Sequence, residues 1–179
     1  MRKVILYIAA SLDNFIARED GAVDWLEDIP NPQKSDFGYG DFYSSINTTS
    51  MGNNTYKQVL EFGVPFPYIG KTNYVFTKSQ IVQKHDFVTF INDDPVDFVD
   101  KLKEKEGKNI WLIGGGVINS LLLNAGLIDK MIITMFPTIL GQGIPMFSND
   151  VKEVQFNLSR CETLYNGLIQ LTFNKKGMH

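Results

Sequence analysis

The stretch Ile110–Ile113 followed by Gly114-Gly115-Gly116 constrains this chain more than any other. Four apolar residues are too few for a helix and suit a buried strand. Val117, Ile118, Leu121, Leu122 and Ala125 then recur at helical spacing. The sequence therefore predicts a strand, a turn made of backbone alone and a helix. Such a turn lets a ligand approach the main chain and leaves free N–H groups at the helix start, where an anion is favoured. A phosphate-bearing cofactor held there and a tight connection that needs glycine only for packing are the two readings. Three glycines in a row favour the cofactor.

The rest of the chain extends the same alternation. Lys3 to Ala10 is nearly all apolar and predicts a central strand covered on both faces. Asp41 to Ile46 predicts a short helix, and Thr48 to Met51 a strand. Tyr56, Val59 and Leu60 mark a helix that Gly63 ends. Strands are expected at Asn73–Thr77 and Phe87–Ile91. Asp93-Asp94-Pro95 predicts a helix start, with an acidic cap and then proline in the first turn. Lys130–Phe136 reads as a further strand, and Pro137–Phe147 as a Gly/Pro-rich loop. Glu153 to Lys175 alternates on both sides of Asn166-Gly167, a strong hairpin signal. Alternating strands and helices imply a mainly parallel sheet with helices on both faces. The expected fold is α/β: a three-layer α/β/α sandwich on a sheet of about eight strands, closed by a C-terminal antiparallel hairpin. One domain over 1–179 accommodates it. Ligands in such folds sit beyond the carboxyl ends of the strands.

Bulk properties narrow the partners. A net charge of −3 gives no reason to expect nucleic acid or an anionic membrane. No apolar run is long enough to span a bilayer. Cys161 stands alone, so an internal disulfide is excluded and a cytoplasmic setting is expected.

Several motifs resemble a known superfamily. Met51-Gly52-x-x-Thr55-Tyr56 and Ile113-Gly114-Gly115-Gly116-Val117-Ile118 resemble the two cofactor motifs of dihydrofolate reductases. Asn73–Ser79 is similar to the strand that ends at their adenosine phosphate. Ser11–Ala17 and Pro137–Phe147 resemble the reductase domain of riboflavin-biosynthesis deaminase-reductases, the RibD C-terminal type. The resemblance runs from Lys3 to Phe173. It implies a dihydrofolate-reductase-like fold and hydride transfer from NADPH to a nitrogen heterocycle, either pterin-like or an aminopyrimidine. A riboflavin-pathway reductase and a nucleotide-binding module without turnover are the alternatives.

The resemblance also assigns roles. Ala9 and Ala10 would hold the nicotinamide carboxamide through their backbone, and Ile16 and Ala17 would pack near the ring. Gly52, Asn53, Asn54 and Thr55, with Ile113, Gly115, Gly116, Val117 and Ile118, would hold the pyrophosphate. Thr77, Lys78 and Ser79 would meet the adenosine phosphate. The Gly114–Gly115 peptide would be cis. Asn53 stands where arginine is common, which leaves Lys78 as the basic candidate. Trp25 matches a tryptophan that precedes the proton-donating carboxylate. The carboxylate candidates here are Asp36, ranked first, and Asp41. Asp13, Trp25, Phe42, Tyr43 and Thr134 are the candidate substrate contacts. With histidines only at 85 and 179, the chain carries no zinc-deaminase signature, and no metal is expected. The partners expected are a small heterocyclic substrate and a second copy in a homodimer, with Pro137–Phe147 a candidate subunit contact.

Overall fold

The computed structural model describes residues 1–32, 34–79, 85–148 and 150–177. Its centre is one eight-stranded sheet. The strands are β1 (Val4–Ala10), β3 (Ile46–Gly52), β4 (Thr72–Phe76), β5 (Thr89–Ile91), β6 (Asn109–Gly114), β7 (Lys130–Met135), β9 (Phe156–Thr163) and β10 (Ile169–Lys175). A separate two-stranded ribbon joins β2 (Phe15–Ala17) to β8 (Ile144–Pro145). The helices are α1 (Tyr39–Ser45), α2 (Asn53–Glu61), α3 (Pro95–Glu104) and α4 (Gly116–Asn124).

The order across the large sheet is β5-β4-β3-β6-β1-β7-β10-β9. The first six strands run parallel, and β10 is antiparallel to both β7 and β9. The strand order reverses beside β1, β3 and β6, whose carboxyl ends form the crevice where such folds place ligands. The expected three-layer α/β sandwich with its C-terminal hairpin is the fold observed.

Two cores clamp the sheet. Val4, Leu6 and Ala10 of β1 join Ile110 and Leu112 of β6 under α3 and α4, which contribute Val99, Leu102, Ile118 and Leu122. Ile5 and Trp111, on the opposite face, pack with Phe42 of α1 and Tyr56 and Val59 of α2. Burial of β1 on both faces is why its sequence is apolar without alternation. Leu6, Leu112 and Leu122 are fully buried, and truncating one of them to alanine would cost about 2–5 kcal/mol.

Caps and turns fix the boundaries. Asp94 accepts hydrogen bonds from the N–H groups of Val96 and Asp97, and Pro95 opens α3 as expected. Beyond α4, Gly126 takes a φ of 68°, while Gly126 N–H donates to Leu123 O and Leu127 N–H to Leu122 O. Ile46, expected in a helix, begins β3 instead. It pairs with Asn109, and the sheet claims it. The hairpin turns through Asn166 and Gly167, both at positive φ. It is closed by Leu164 N–H donating to Leu168 O at 2.7 Å, one residue wider than a two-residue turn. The ribbon β2–β8 is absent from the expected elements, because strands of three and two residues show no period.

Candidate active site

Two helices begin side by side at the carboxyl ends of β3 and β6. Gly52 caps α2 and Gly115 caps α4, and neither start carries a side-chain hydrogen bond among the described residues. Their first N–H groups are thus left without a side-chain acceptor. A Cβ at Gly52 would lie 3.3 Å from Ile118 Cγ1, and one at Gly115 would lie 3.1 Å from Thr55 Oγ1. The two helix starts therefore lie close together, and each offers the N–H groups and positive dipole end that suit an anion. Thr55 adds a hydroxyl there.

The expected cis bond is not found. Among the described residues no peptide bond is cis. Gly114 and Gly115 instead take φ values of 124° and 85°, and two successive residues in conformations open to glycine reverse the chain with a trans peptide.

Gly116 has a second role. A Cβ there would come within 2.4 Å of Pro145 O, so its missing side chain lets the segment that carries β8 lie flat on the start of α4. Gly143 does the same at β2, where a Cβ would meet Ala17 O at 2.3 Å. Ile16 and Ala17 are held by this ribbon, Ile16 half-buried and Ala17 buried. Ala9 and Ala10 end β1, Ala10 fully buried with its carbonyl accepting from Phe136 N–H at 2.8 Å. Ile113 is half-buried, whereas Val117 is exposed on α4. Asn53 is half-buried and Asn54 exposed at the start of α2. Thr77, Lys78 and Ser79 follow β4. Asn92 holds this turn by donating to Thr77 O at 3.1 Å and Ser79 O at 2.7 Å, and Lys78 is exposed.

The facing residues behave differently. Asp36 accepts from Gly38 N–H at 3.0 Å and Gly40 N–H at 2.9 Å, so its carboxylate caps the entry to α1. Those amides, Gly40 first, hold its pKa below the ordinary value. A carboxyl kept ionised in this way is a poor proton donor at neutral pH. Asp41 lies exposed in the first turn of α1 and, with Tyr7, Phe37, Phe42 and Gln170, lines part of a cleft of about 770 Å³ that runs on to Lys3, Asn109 and Lys130 at the amino ends of β1, β6 and β7.

Asp13 is also engaged. It accepts from Ser11 Oγ at 2.6 Å, Leu140 N–H at 3.1 Å and Gly141 N–H at 2.7 Å. The Ser11 hydroxyl is the main cause of its lowered pKa. This bonding ties Ser11–Asp13 to the Gly-rich segment. Trp25 is fully buried edge-on against Phe136, with ring centroids 5.3 Å apart, and its indole N–H has no acceptor among the described residues. Thr134 is buried, and its hydroxyl accepts from Gln170 Nε2 at 3.1 Å. Phe42 stacks on Tyr7 at 4.1 Å between centroids, while Tyr43 stacks on Tyr39 and lies under the Lys71 ammonium.

Sequence reading missed Tyr7 and Gln170. Burial raises the Tyr7 pKa, and a hydrogen bond with Gln170 opposes that in part. Gln170 pairs with Thr134, and Thr134 with Ala9, so register alone brings these polar groups together. A tyrosine and a glutamine at otherwise apolar or alternating strand positions were the available signal.

The family model for the RibD C-terminal domain matches residues 44–170, well over half of the chain and including both helix starts. The chain belongs to that family. The RibD C-terminal domain here is 42% identical to the uncharacterized protein YwjB of Bacillus subtilis (strain 168), over 88% of this chain and 89% of that one. A Shewanella sp. PV-4 crystal structure named for riboflavin biosynthesis matches with a TM-score of 0.88 and 32% identity, covering 98% of this chain and 99% of the other. The dihydrofolate reductase of Enterococcus faecalis, solved with NADP(H), superposes with a TM-score of 0.68 at 14% identity, covering 98% and 97%. That last likeness is one of fold, and it places this RibD C-terminal domain within the dihydrofolate-reductase-like class. Among the described residues no helix is long and apolar enough to cross a membrane.

Proposed function

We propose that the chain is an NAD(P)H-dependent reductase that takes a nitrogen heterocycle, pterin-like or aminopyrimidine, with NADPH as the expected dinucleotide. One observation carries the reading: two glycine-started helix N-termini, free of side-chain caps, lie close together at the carboxyl edge of the sheet. The cradle fits a pyrophosphate, because Gly115 brings Thr55 close and a side chain there would fill the space. When bound, the dinucleotide would supply the hydride, and the protein would supply placement and electrostatics. The Shewanella relative's name and the NADP(H) complex of the enterococcal enzyme support the same reading.

The chain's own residues divide the work. Gly52, Asn53, Thr55, Gly115 and Ile118 bind the phosphates, and Thr77, Lys78 and Ser79 hold the adenosine end. Ile16 and Ala17 face the nicotinamide. The cleft beside α1 takes the heterocycle against Phe42 and Tyr7. Asp41 lines that cleft and is the carboxylate better placed to pass a proton, since Asp36 is committed to two amides.

Fluorescence titration with NADPH, followed by turnover with dihydrofolate and aminopyrimidines, tests the proposal. NADPH binding with oxidation that falls tenfold or so in Asp41→Asn, and less in Asp36→Asn, is the expected result. Tight NADPH binding with no oxidation by any of these heterocycles would favour a nucleotide-binding module instead.

A further inference from the structure

The Gly-rich segment 137–148 has so far no role beyond its contacts. It is bonded to both halves of the dinucleotide site. At its far end, Ser148 N–H donates to Ser120 Oγ at 2.8 Å and to Gly116 O at 3.3 Å. At its near end, Leu140 and Gly141 are held by Asp13. Between these, one residue makes both connections. Met146 O accepts from Asn119 Nδ2 at 2.8 Å, and Met146 N–H donates to Asn14 O at 2.9 Å. Asn14 takes a φ of 65°, a conformation asparagine tolerates, and leads directly into β2.

Asn119 is unusual in its own right. It is fully buried in the first turns of α4, yet its Oδ1 has no hydrogen-bond partner among the described residues. Both atoms of its amide group lie 3.5 Å from where a Cβ on Gly114 would sit. A leucine or alanine would suit this apolar helix better unless the amide served a purpose. Its neighbour Ser120 already fastens the segment at Ser148, so Asn119 is not needed merely to hold the segment down.

We propose that Asn119 is a positioning residue that couples the phosphate-binding turn of α4 to the nicotinamide-facing strand β2 through the Met146 backbone. The inference rests on the dinucleotide reading above. Phosphates that order the Gly114–Gly116 turn thereby order Phe15–Ala17, even with no nicotinamide present to touch Ile16 and Ala17. Gly116 and Gly143 make this possible, because their missing side chains let the segment lie against both partners.

Hydrogen exchange on the full chain, with and without saturating 2′-phospho-ADP-ribose, tests the coupling. This probe carries the phosphates of NADPH but no nicotinamide, so it cannot shield Ile16 and Ala17 by contact. In the unsubstituted protein it should slow exchange at residues 15–17 by about fivefold or more. Asn119→Ala and the milder Asn119→Ser should still bind the probe, within about threefold in Kd, but lose that added protection. Ser120→Ala loosens the segment at Ser148 while leaving Asn119 in place, and it should keep the protection. If the Asn119 variants protect residues 15–17 as the unsubstituted protein does, the coupling is wrong. Equal loss in Ser120→Ala also overturns it, since general loosening of the segment would then suffice. If the probe binds the unsubstituted protein without protecting 15–17, or if only NADPH binds, the coupling falls and the dinucleotide reading stands. If neither the probe nor NADPH binds, both fall.

Discussion

The four helix starts fall into two pairs. Aspartates serve α1 and α3: Asp36 accepts two amides at the entry to α1, and Asp94 accepts two at α3. Glycine is the N-cap of α1 as well as of α2 and α4, but only at α2 and α4 does no side chain among the described residues bond the first N–H groups. A glycine N-cap forgoes only about a few tenths of a kcal/mol relative to a capping side chain, so leaving these two starts open costs the fold little. The pair with aspartate caps is finished internally. The open pair is where the proposed dinucleotide would place its phosphates. The same contrast explains Asp36. Sequence position made it a candidate acid, and its hydrogen bonds make it the counterpart of Asp94.

The sharpest way to break this contrast is at Gly116. Gly116→Val drives a side chain into Pro145 O and should cost about 1–3 kcal/mol in a denaturant melt, with NADPH binding lost as the α4 start is displaced. Retained stability and binding would show that the segment yields freely there. Gly115→Ala comes next. Its φ of 85° and the 3.1 Å approach to Thr55 Oγ1 strain any side chain, and NADPH affinity should fall about tenfold, as read by titration. Asp94→Ala removes a cap of the finished kind. It should cost about 1 kcal/mol of stability and leave NADPH affinity unchanged, because α3 carries none of the proposed phosphate contacts. A loss of affinity in that variant would erase the distinction between the two pairs.

The open pair was legible in the sequence, and the residues across from it only in part: Asp41, Phe42 and Thr134 were named there, while Tyr7 and Gln170 were not. Ile110–Gly116 and Met51–Thr55 announce themselves because a strand, a backbone turn and a helix need residues of fixed type at fixed spacing. Chain order and apolar patterning carried the sheet for the same reason. The ribbon β2–β8 was invisible, since its pairing depends on Gly143 and Asn14 bringing two very short segments together. Tyr7, Thr134 and Gln170 meet only through the registers of β1, β7 and β10, which no local pattern encodes. The role of Asp36 was hidden because two amides a few residues away decide it. An aspartate in a polar loop looks the same whether it caps a helix or serves a substrate.

Acid separates those two possibilities for Asp36 with the smallest effect of the series. The Gly40 and Gly38 amides depress its folded-state pKa below the ordinary aspartate value. A depressed carboxylate stabilises the fold above the unfolded-state pKa, near 3.9 by model-peptide reference, and loses that contribution as pH falls through the folded value. Asp36→Asn should therefore be slightly less stable than the unsubstituted protein at pH 7, and the gap should narrow as pH falls below the unfolded-state value. Matched thermal melts at pH 7 and through the acid range read it. An acid that donates a proton to substrate would need a raised pKa, and its replacement by asparagine would then stabilise the fold at pH 7. A stability gap that opens toward acid, or one of reversed sign at neutral pH, would return Asp36 to the cleft and break the pairing with Asp94.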